Sequence, residues 1–287
     1  MKYIIMTGVV LLSASCLASP DVTSREYKLI LNHEKFSFDN EFQQVDGFLS
    51  LAAKNIEESI DRKVNGSPFL SKERSVAFYD VPRECTLKNI GYSFRDRVTD
   101  GDSEVTLKFR SPDRYISGFE DLSSSSSSSK TKFESDIGAN AINEFKVIYS
   151  YSTRVPNSRK INDMKDINYH FPGFEDDYSF DNNIAIAPVS DLIIHERVYE
   201  GLEIDLGSID AEMSLTLWYL SAPSGQDVPL LAEVDFDYAD NSAKYTKKVV
   251  NRAKVAFDTL RAMDDWVSPD SETKTQFVYN YDPSFCN

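Results

Sequence analysis

The stretch from Tyr92 to Arg110 constrains this chain more than any other. It reads YSFRDRVTDGDSEVTLKFR, two strands joined through Asp100-Gly101-Asp102. Successive strand side chains point to opposite faces, so Ser93, Arg95 and Arg97 share a face on the first strand. On the second, Thr106, Lys108 and Arg110 share one face, and Val105, Leu107 and Phe109 share the other. Cations are aimed one way and an apolar row the other. Such a group of like charges repels itself; it is tolerated in open solvent, as an ordinary sheet face, or around an anion, and a polyphosphate suits it best.

Acidic counterparts lie far away in the sequence. In Leu231 to Tyr238, Glu233, Asp235 and Asp237 share one face of a strand, with Val234, Phe236 and Tyr238 on the other. Adjacent carboxylates need relief by Mg²⁺ or Mn²⁺, or by lysine and arginine across a barrel interior; an exposed acidic edge is the alternative. Ser24, Glu26 and Lys28 share a face on an opening strand over about 24–31.

Other strands are expected at Arg74 to Tyr79, Ile142 to Thr153, Ser190 to Val198, Leu202 to Leu206 (the last two around a Glu200-Gly201 turn) and Ala211 to Leu220. A final strand is expected at Lys274 to Tyr279. Two long helices interrupt them. One starts at Asp39 or Asn40 and runs to about Lys63, with Phe42, Val45, Leu49, Ala52, Ala53, Ile56 and Ile60 inward, before a break at Asn65-Gly66-Ser67-Pro68. The other starts at Asn241 or Ser242 and ends near Trp266, burying Val249, Val250, Ala253, Ala256, Phe257, Leu260 and Met263. The serine run Ser123 to Ser129 marks a disordered loop near 120–132, and Asn157 to Asp181 reads as irregular. Strands with two long helices fit one α+β domain, residues 19–287, built on a closed or nearly closed antiparallel β-barrel with two flanking helices.

Tyr79-Asp80-Val81-Pro82, then Leu87, Gly91, Arg95, Arg97 and Thr106-Leu107-Lys108, taken in order, resemble the core of the CYTH-like, triphosphate tunnel family. The opening Glu-x-Glu-x-Lys strand of that family is matched at Glu26 and Lys28, with Ser24 in the first place. Its later Glu-x-Glu strand is matched by Glu233 and Asp235. The resemblance implies a barrel whose basic interior binds a triphosphate, with acidic residues for a divalent metal. It implies a metal-dependent phosphohydrolase acting on a triphosphate or other phosphoanhydride. Arg95, Arg97, Lys108 and Arg110 bind phosphate, assisted by Arg154 and Arg197; Glu26, Lys28 and Lys108 carry the catalysis; Glu26, Glu233 and Asp235 hold Mg²⁺ or Mn²⁺. Ser24 removes one hard oxygen ligand. A different class of function is therefore kept open: an exported, non-catalytic protein whose interior binds a polyanion or holds only internal ion pairs.

The chain of 287 residues carries a formal net charge of −15, which disfavours nucleic acid and anionic membranes as partners and leaves a small phosphorylated or polyanionic ligand. Met1-Lys2, an apolar run from Tyr3 to Leu12 and small residues to Ala18 have the layout of a signal peptide over 1–18, giving an exported, periplasmic or secreted protein with no stable membrane insertion. Cys16 offers a lipid anchor instead. If Cys16 leaves with the signal, Cys85 and Cys286 form an even pair, expected as a disulfide, with two free cysteines the alternative. No Gly-x-Ser-x-Gly stretch is present, and His33, His170 and His195 sit in no recognisable setting, which argues against a Ser–His–Asp hydrolase. Substrate and oligomeric state are not read from the sequence.

Overall fold

The computed structural model describes residues 20–141, 144–239, 245–268 and 272–287. The expected signal segment, Cys16, the start of a strand at Ile142 and a helix start at Asn241 or Ser242 lie outside them. In chain order the elements are β1 (Ser24–Leu31), α1 (Glu41–Ile60), β2 (Val64–Asp80), α2 (Thr86–Asn89), β3 (Tyr92–Thr99), β4 (Asp102–Ser111), α3 (Arg114–Phe119), β5 (Lys130–Ala141) and β6 (Glu144–Asn157). There follow α4 (Met164–His170), α5 (Pro172–Tyr178), β7 (Ala187–Pro188), β8 (Ile194–Asp205), β9 (Asp210–Tyr219), β10 (Leu231–Ala239), α6 (Lys247–Arg261) and α7 (Lys274–Tyr281).

The fold is α+β, and its strands form one sheet in the order β3-β4-β6-β5-β1-β10-β9-β8-β2-β7. A further pairing of β2 with β3, Ser75 to Tyr79 against Val98 to Phe94, carries the ladder round into a ring. All the strand pairings in it are antiparallel except β1 with β5, which run parallel from Ser24 opposite Glu134 to Tyr27 opposite Ile137. The expectation of a wholly antiparallel sheet is corrected there.

Alternation decides what faces out. Two long helices flank the ring, as expected. From α1, Val45, Phe48, Leu49, Ala52 and Ile56 pack with Val249, Ala253, Phe257 and Leu260 of α6 over Met213, Leu215 and Leu217 of β9 and Val234 and Phe236 of β10. Phe42, expected inward, is 53% exposed, and Phe48 takes the core position. A second apolar layer covers the hairpin: Met164, Ile167, Phe171 and Phe174 of α4 and α5 lie against Phe94, Val105, Leu107 and Phe109. Burying each such side chain stabilises the fold by about 1.5–3 kcal/mol. The hairpin turn has two residues of positive φ, Asp100 (52°) and Gly101 (90°), the handedness a two-residue hairpin loop requires.

Several expectations are corrected. The breaks expected at Asn65–Pro68 and Glu200-Gly201 are irregularities inside two continuous paired strands, β2 and β8. The backbones approach closely there: a Cβ on Gly66 would lie 1.9 Å from the Gly201 carbonyl oxygen, so both glycines let the paired strands continue through the bulge rather than turn. Asn157 to Asp181 contains α4, opened by an Asp163–Asp166 capping box, and α5, opened by Pro172. Residues Lys274 to Tyr281 form helix α7 instead of a strand, with a Thr273–Gln276 capping box. Strand β5 was not expected and starts at Lys130, within the loop read over 120–132.

The C-terminal segment closes one end of the ring. Val278 and Tyr279 of α7 pack with Val76, Phe78, Trp218 and Leu231 inside it. Cys85 and Cys286 are disulfide-bonded across a sequence separation of 201, as expected from the even pair. Asp80, from the Tyr79–Pro82 motif, is fully buried; it accepts from the backbone N–H groups of Val81, Leu87 and Lys88 and from the Tyr279 hydroxyl at 2.7 Å. Among the described residues no helix is long and apolar enough to cross a membrane, and the disulfide fits an oxidising compartment.

Candidate active site: a cavity of paired charges

The ring encloses a cavity of about 1500 Å³. Arg95 and Arg97 from β3 line it, with Thr106, Lys108 and Arg110 from β4, Glu26 and Lys28 from β1, and Arg154 from β6. The face assignments read from alternation hold for the hairpin, because its apolar row is claimed by α4 and α5. Strand β5 adds Lys132, Glu134 and Asp136, β10 adds Glu233, and α7 adds Lys274.

On one side, Glu196 of β8 is 1% exposed and is held by Arg74, by Arg97 at 3.7 Å and by the Trp218 indole N–H at 2.8 Å. Burial opposes its ionisation, and the two guanidiniums overcome that, holding its pKa below the ordinary carboxylate range. Arg97 itself is pushed down to about 10 by burial. Arg95 has no carboxylate partner among the described residues. Its Nε is buried without a hydrogen bond, and its nearest aromatic contact is the Phe78 ring at 5.9 Å. Burial, then Arg97, with Arg74 and Arg110 adding and Glu196 opposing, drives its pKa well down. A desolvated guanidinium ringed by like charges is unfavourable until an anion joins it.

On the other side, Glu26, Glu134 and Asp136 bring one oxygen each within 4.8 Å of one another. Lys28 pairs with Glu26 at 2.6 Å, Lys108 with Glu134 at 3.4 Å and Asp136 at 3.7 Å, and Lys132 with Glu134 at 2.7 Å. Ser24 keeps a role in the group: its hydroxyl donates to Glu134 at 3.4 Å. Asp136 is lowered despite its burial by Lys108, Lys28 and Arg110. Glu26 is pushed up to about 8: burial dominates, Lys28 opposes it, and Glu134, Asp136 and Asp235 add to the rise. Burial, then Glu233, raises Asp235 to about 6.

Glu233 and Asp235 face inward as expected, Asp235 opposite Lys28 in the ladder. Glu233 pairs with Lys274 at 2.8 Å, and Asp235 accepts from Ser214 at 2.8 Å. Arg154 pairs with Glu104 at 3.2 Å at the cavity wall. Arg197, expected among the phosphate ligands, does not line the cavity. On β8 its neighbour Glu196 takes the inward position, and Arg197 points outward to Glu41 of α1 at 2.7 Å and to Glu73 at 2.5 Å. None of the histidines lines the cavity; His170 contacts Asn157 and His195 contacts Glu73. Sequence reading missed Glu134, Asp136, Arg74 and Glu196. For the first two the signal was there, since Lys132, Glu134 and Asp136 alternate with Phe133, Ser135 and Ile137.

No family model and no curated protein matches the chain. Among solved structures, a candidate adenylyl cyclase from Hippeastrum, described as having a dominant triphosphatase activity, aligns over 91% of this chain and 96% of its own, at 11% identity and a TM-score of 0.44. A candidate adenylate cyclase from Bacillus halodurans aligns over 88% and 94%, at 11% identity and a TM-score of 0.38. One from Vibrio parahaemolyticus aligns over 90% and 99%, at 12% identity and a TM-score of 0.35. At TM-scores below 0.5 the cavity is read from its own side chains.

The donor set suits a hard divalent ion: three carboxylates with converging oxygens, and Asp136 also has an oxygen, Oδ1, buried without a hydrogen bond. Glu26 must lose its proton to become a ligand. Mn²⁺ affinity is therefore expected to rise with pH, by roughly tenfold per unit below about 8, with proton release on binding. The stability of the metal-free chain runs the opposite way. A carboxyl raised from 4.5 to about 8 favours folding while neutral, so its contribution is lost as pH climbs through that window. Calorimetric titration with Mn²⁺ at pH 6, 7 and 8 checks the first; a pH-independent affinity would contradict it.

Proposed function

We propose that the chain is a phosphohydrolase of the triphosphate-tunnel type, which binds a triphosphate or related phosphoanhydride inside the ring and hydrolyses it with a divalent ion. The observation that carries this reading is Arg95, which has no carboxylate partner among the described residues and a buried Nε without a hydrogen bond, in a cavity shared with Arg97, Arg110 and a carboxylate group that suits Mg²⁺ or Mn²⁺. A compact polyanion with its metal satisfies both at once.

In this reading Arg95, Arg97, Lys108 and Arg110 hold the phosphate oxygens, and Arg154 guides the chain of phosphates at the wall. Glu26, Glu134 and Asp136 would hold the ion. This trio is preferred to Glu26, Glu233 and Asp235 read from the sequence because its three oxygens lie within 4.8 Å of one another. When bound, the ion neutralises phosphate charge and polarises a phosphoryl oxygen. The arginines and Lys108 stabilise the charge that builds on the leaving oxygen as the anhydride bond breaks, and Lys28 keeps Glu26 and Asp136 oriented at 2.6 and 3.7 Å. Water is the nucleophile, so no side-chain nucleophile is required.

A second reading, a binding protein without turnover, is favoured by the pairing of Glu26, Glu134, Asp136, Glu196 and Glu233 with lysine or arginine in the ligand-free chain. Phosphate release from inorganic triphosphate and ATP with Mg²⁺, Mn²⁺ or EDTA separates the two. Metal-dependent release, reduced at least about 100-fold in Lys108→Ala and Glu134→Gln, is expected. Tight triphosphate binding with no release above the EDTA blank would leave the binding protein.

A further inference from the structure

Two acidic groups face the ring interior, and lysines meet both: Lys28, Lys108 and Lys132 the first, Lys274 the second. Glu26, Glu134 and Asp136 converge on a common point. Glu233 and Asp235, two residues apart on one strand face, meet Lys274 of α7, 2.8 Å from Glu233 Oε1. That lysine is well held. Its side chain is 19% exposed and its ammonium lies 5.8 Å from the Trp218 ring centroid. It is the first residue of α7, behind the Thr273–Gln276 capping box. The helix is fixed by the Tyr279 hydroxyl on Asp80, by the Ser190 hydroxyl on the Val278 carbonyl at 2.9 Å, and by the disulfide five residues beyond its end.

Glu233 is 4% exposed, and a buried carboxylate beside another requires a counter-cation. An ammonium meets that need as a divalent ion does, but it accepts no further ligands. We propose that Lys274 is the built-in counter-cation of the Glu233–Asp235 pair, and that it restricts this chain to one divalent ion by excluding a second from those two carboxylates. The inference rests on the metal-assisted reading above. Its consequence is that one part of the bound polyanion meets an ammonium of fixed position and the other part meets an exchangeable ion.

The test is Mn²⁺ stoichiometry, measured by calorimetry and by the paramagnetic resonance of free Mn²⁺, on the full chain and its variants. One ion is expected for the native chain and for Lys274→Arg, and two for Lys274→Met. The second ion should vanish in Lys274→Met combined with Glu233→Gln. Two ions in the native chain would overturn the inference, and so would one ion in a Lys274→Met chain whose circular dichroism and melting match the native chain. An ion gained only by Lys274→Met, with none in the native chain, keeps the role of Lys274 and removes the Glu26 site. No ion in either chain overturns both.

Discussion

Replacing Arg95 by methionine is expected to stabilise the ligand-free chain and to remove most of its affinity for inorganic triphosphate. The two effects share one cause. Arg95 lies among Arg97, Arg74 and Arg110 with no carboxylate in salt-bridge contact among the described residues, and the attraction of Glu196 offsets its desolvation and their repulsion only in part. An apolar side chain of similar length removes both, for a gain of about 1–2 kcal/mol, or roughly 2–4 °C per kcal/mol for a chain of this size. The anion loses a charge-assisted contact of about 2–3 kcal/mol, on the order of 100-fold in Kd. Glu196→Gln should act in the reverse sense, because it strands Arg74 and Arg97 in a buried position; a loss of about 3–5 kcal/mol is expected. Scanning calorimetry with and without triphosphate measures both variants. A destabilised Arg95→Met chain that still binds triphosphate would mean Arg95 is structural and remove the main support for anion binding.

Breaking the Cys85–Cys286 bond, by a dithiol or by serine at both positions, is expected to lower stability by about 4 kcal/mol. The bond closes a loop of 201 residues, near the upper end of what chain entropy allows. It also anchors the segment that brings α7 against the cavity, with the Arg83 N–H donating to the Phe285 carbonyl beside it at 2.6 Å. Release should therefore weaken the Lys274–Glu233 contact as well as the global fold. The denaturant midpoint with and without dithiol gives the first quantity. Protease cleavage between 272 and 282 in the reduced chain, faster than in the oxidised chain, reports the second. An unchanged midpoint and an unchanged cleavage rate would show that α7 is held by packing alone.

The legible parts of the sequence were those where one local signal decided the outcome. The hairpin from Tyr92 to Arg110 alternates cleanly and has a turn only Asp-Gly-like residues make readily, so its inward cations were readable. Glu26, Lys28 and Glu233 followed from the same period. Strand β5 was missed because it follows the serine run and offers few β-branched or aromatic residues, although Glu134 and Asp136 stand on the polar side of a clear alternation. Lys274 to Tyr281 misled in the other direction. Thr, Phe, Val and Tyr favour strands, but Thr273 and Gln276 at capping-box spacing mark a helix start. Arg197 was misplaced because Glu196 and Arg197 alternate along β8 and the local pattern does not say which of them turns inward; the pairing of Glu196 opposite Arg74 and Trp218 decides it. The convergence of carboxylates from β1 and β5 is a tertiary property. These strands are parallel neighbours that pair Ser24 with Glu134, far along the chain, a pairing local pattern does not encode.

The ring has a consequence for how the molecule comes into being. Ser24, at the start of β1, pairs with Ala239, at the end of β10, so the first strand made waits for the last. Until then β1 and its neighbours present open edges, and the cations and carboxylates of the interior face water without each other. The chain is therefore committed to late, concerted assembly rather than to folding piece by piece behind the ribosome, with slow ring closure and a premium on protection from association while it is incomplete. A shortened chain ending before Leu231 lacks β10, the strand that joins β1 to β9, and cannot complete the ladder however stable its individual hairpins are.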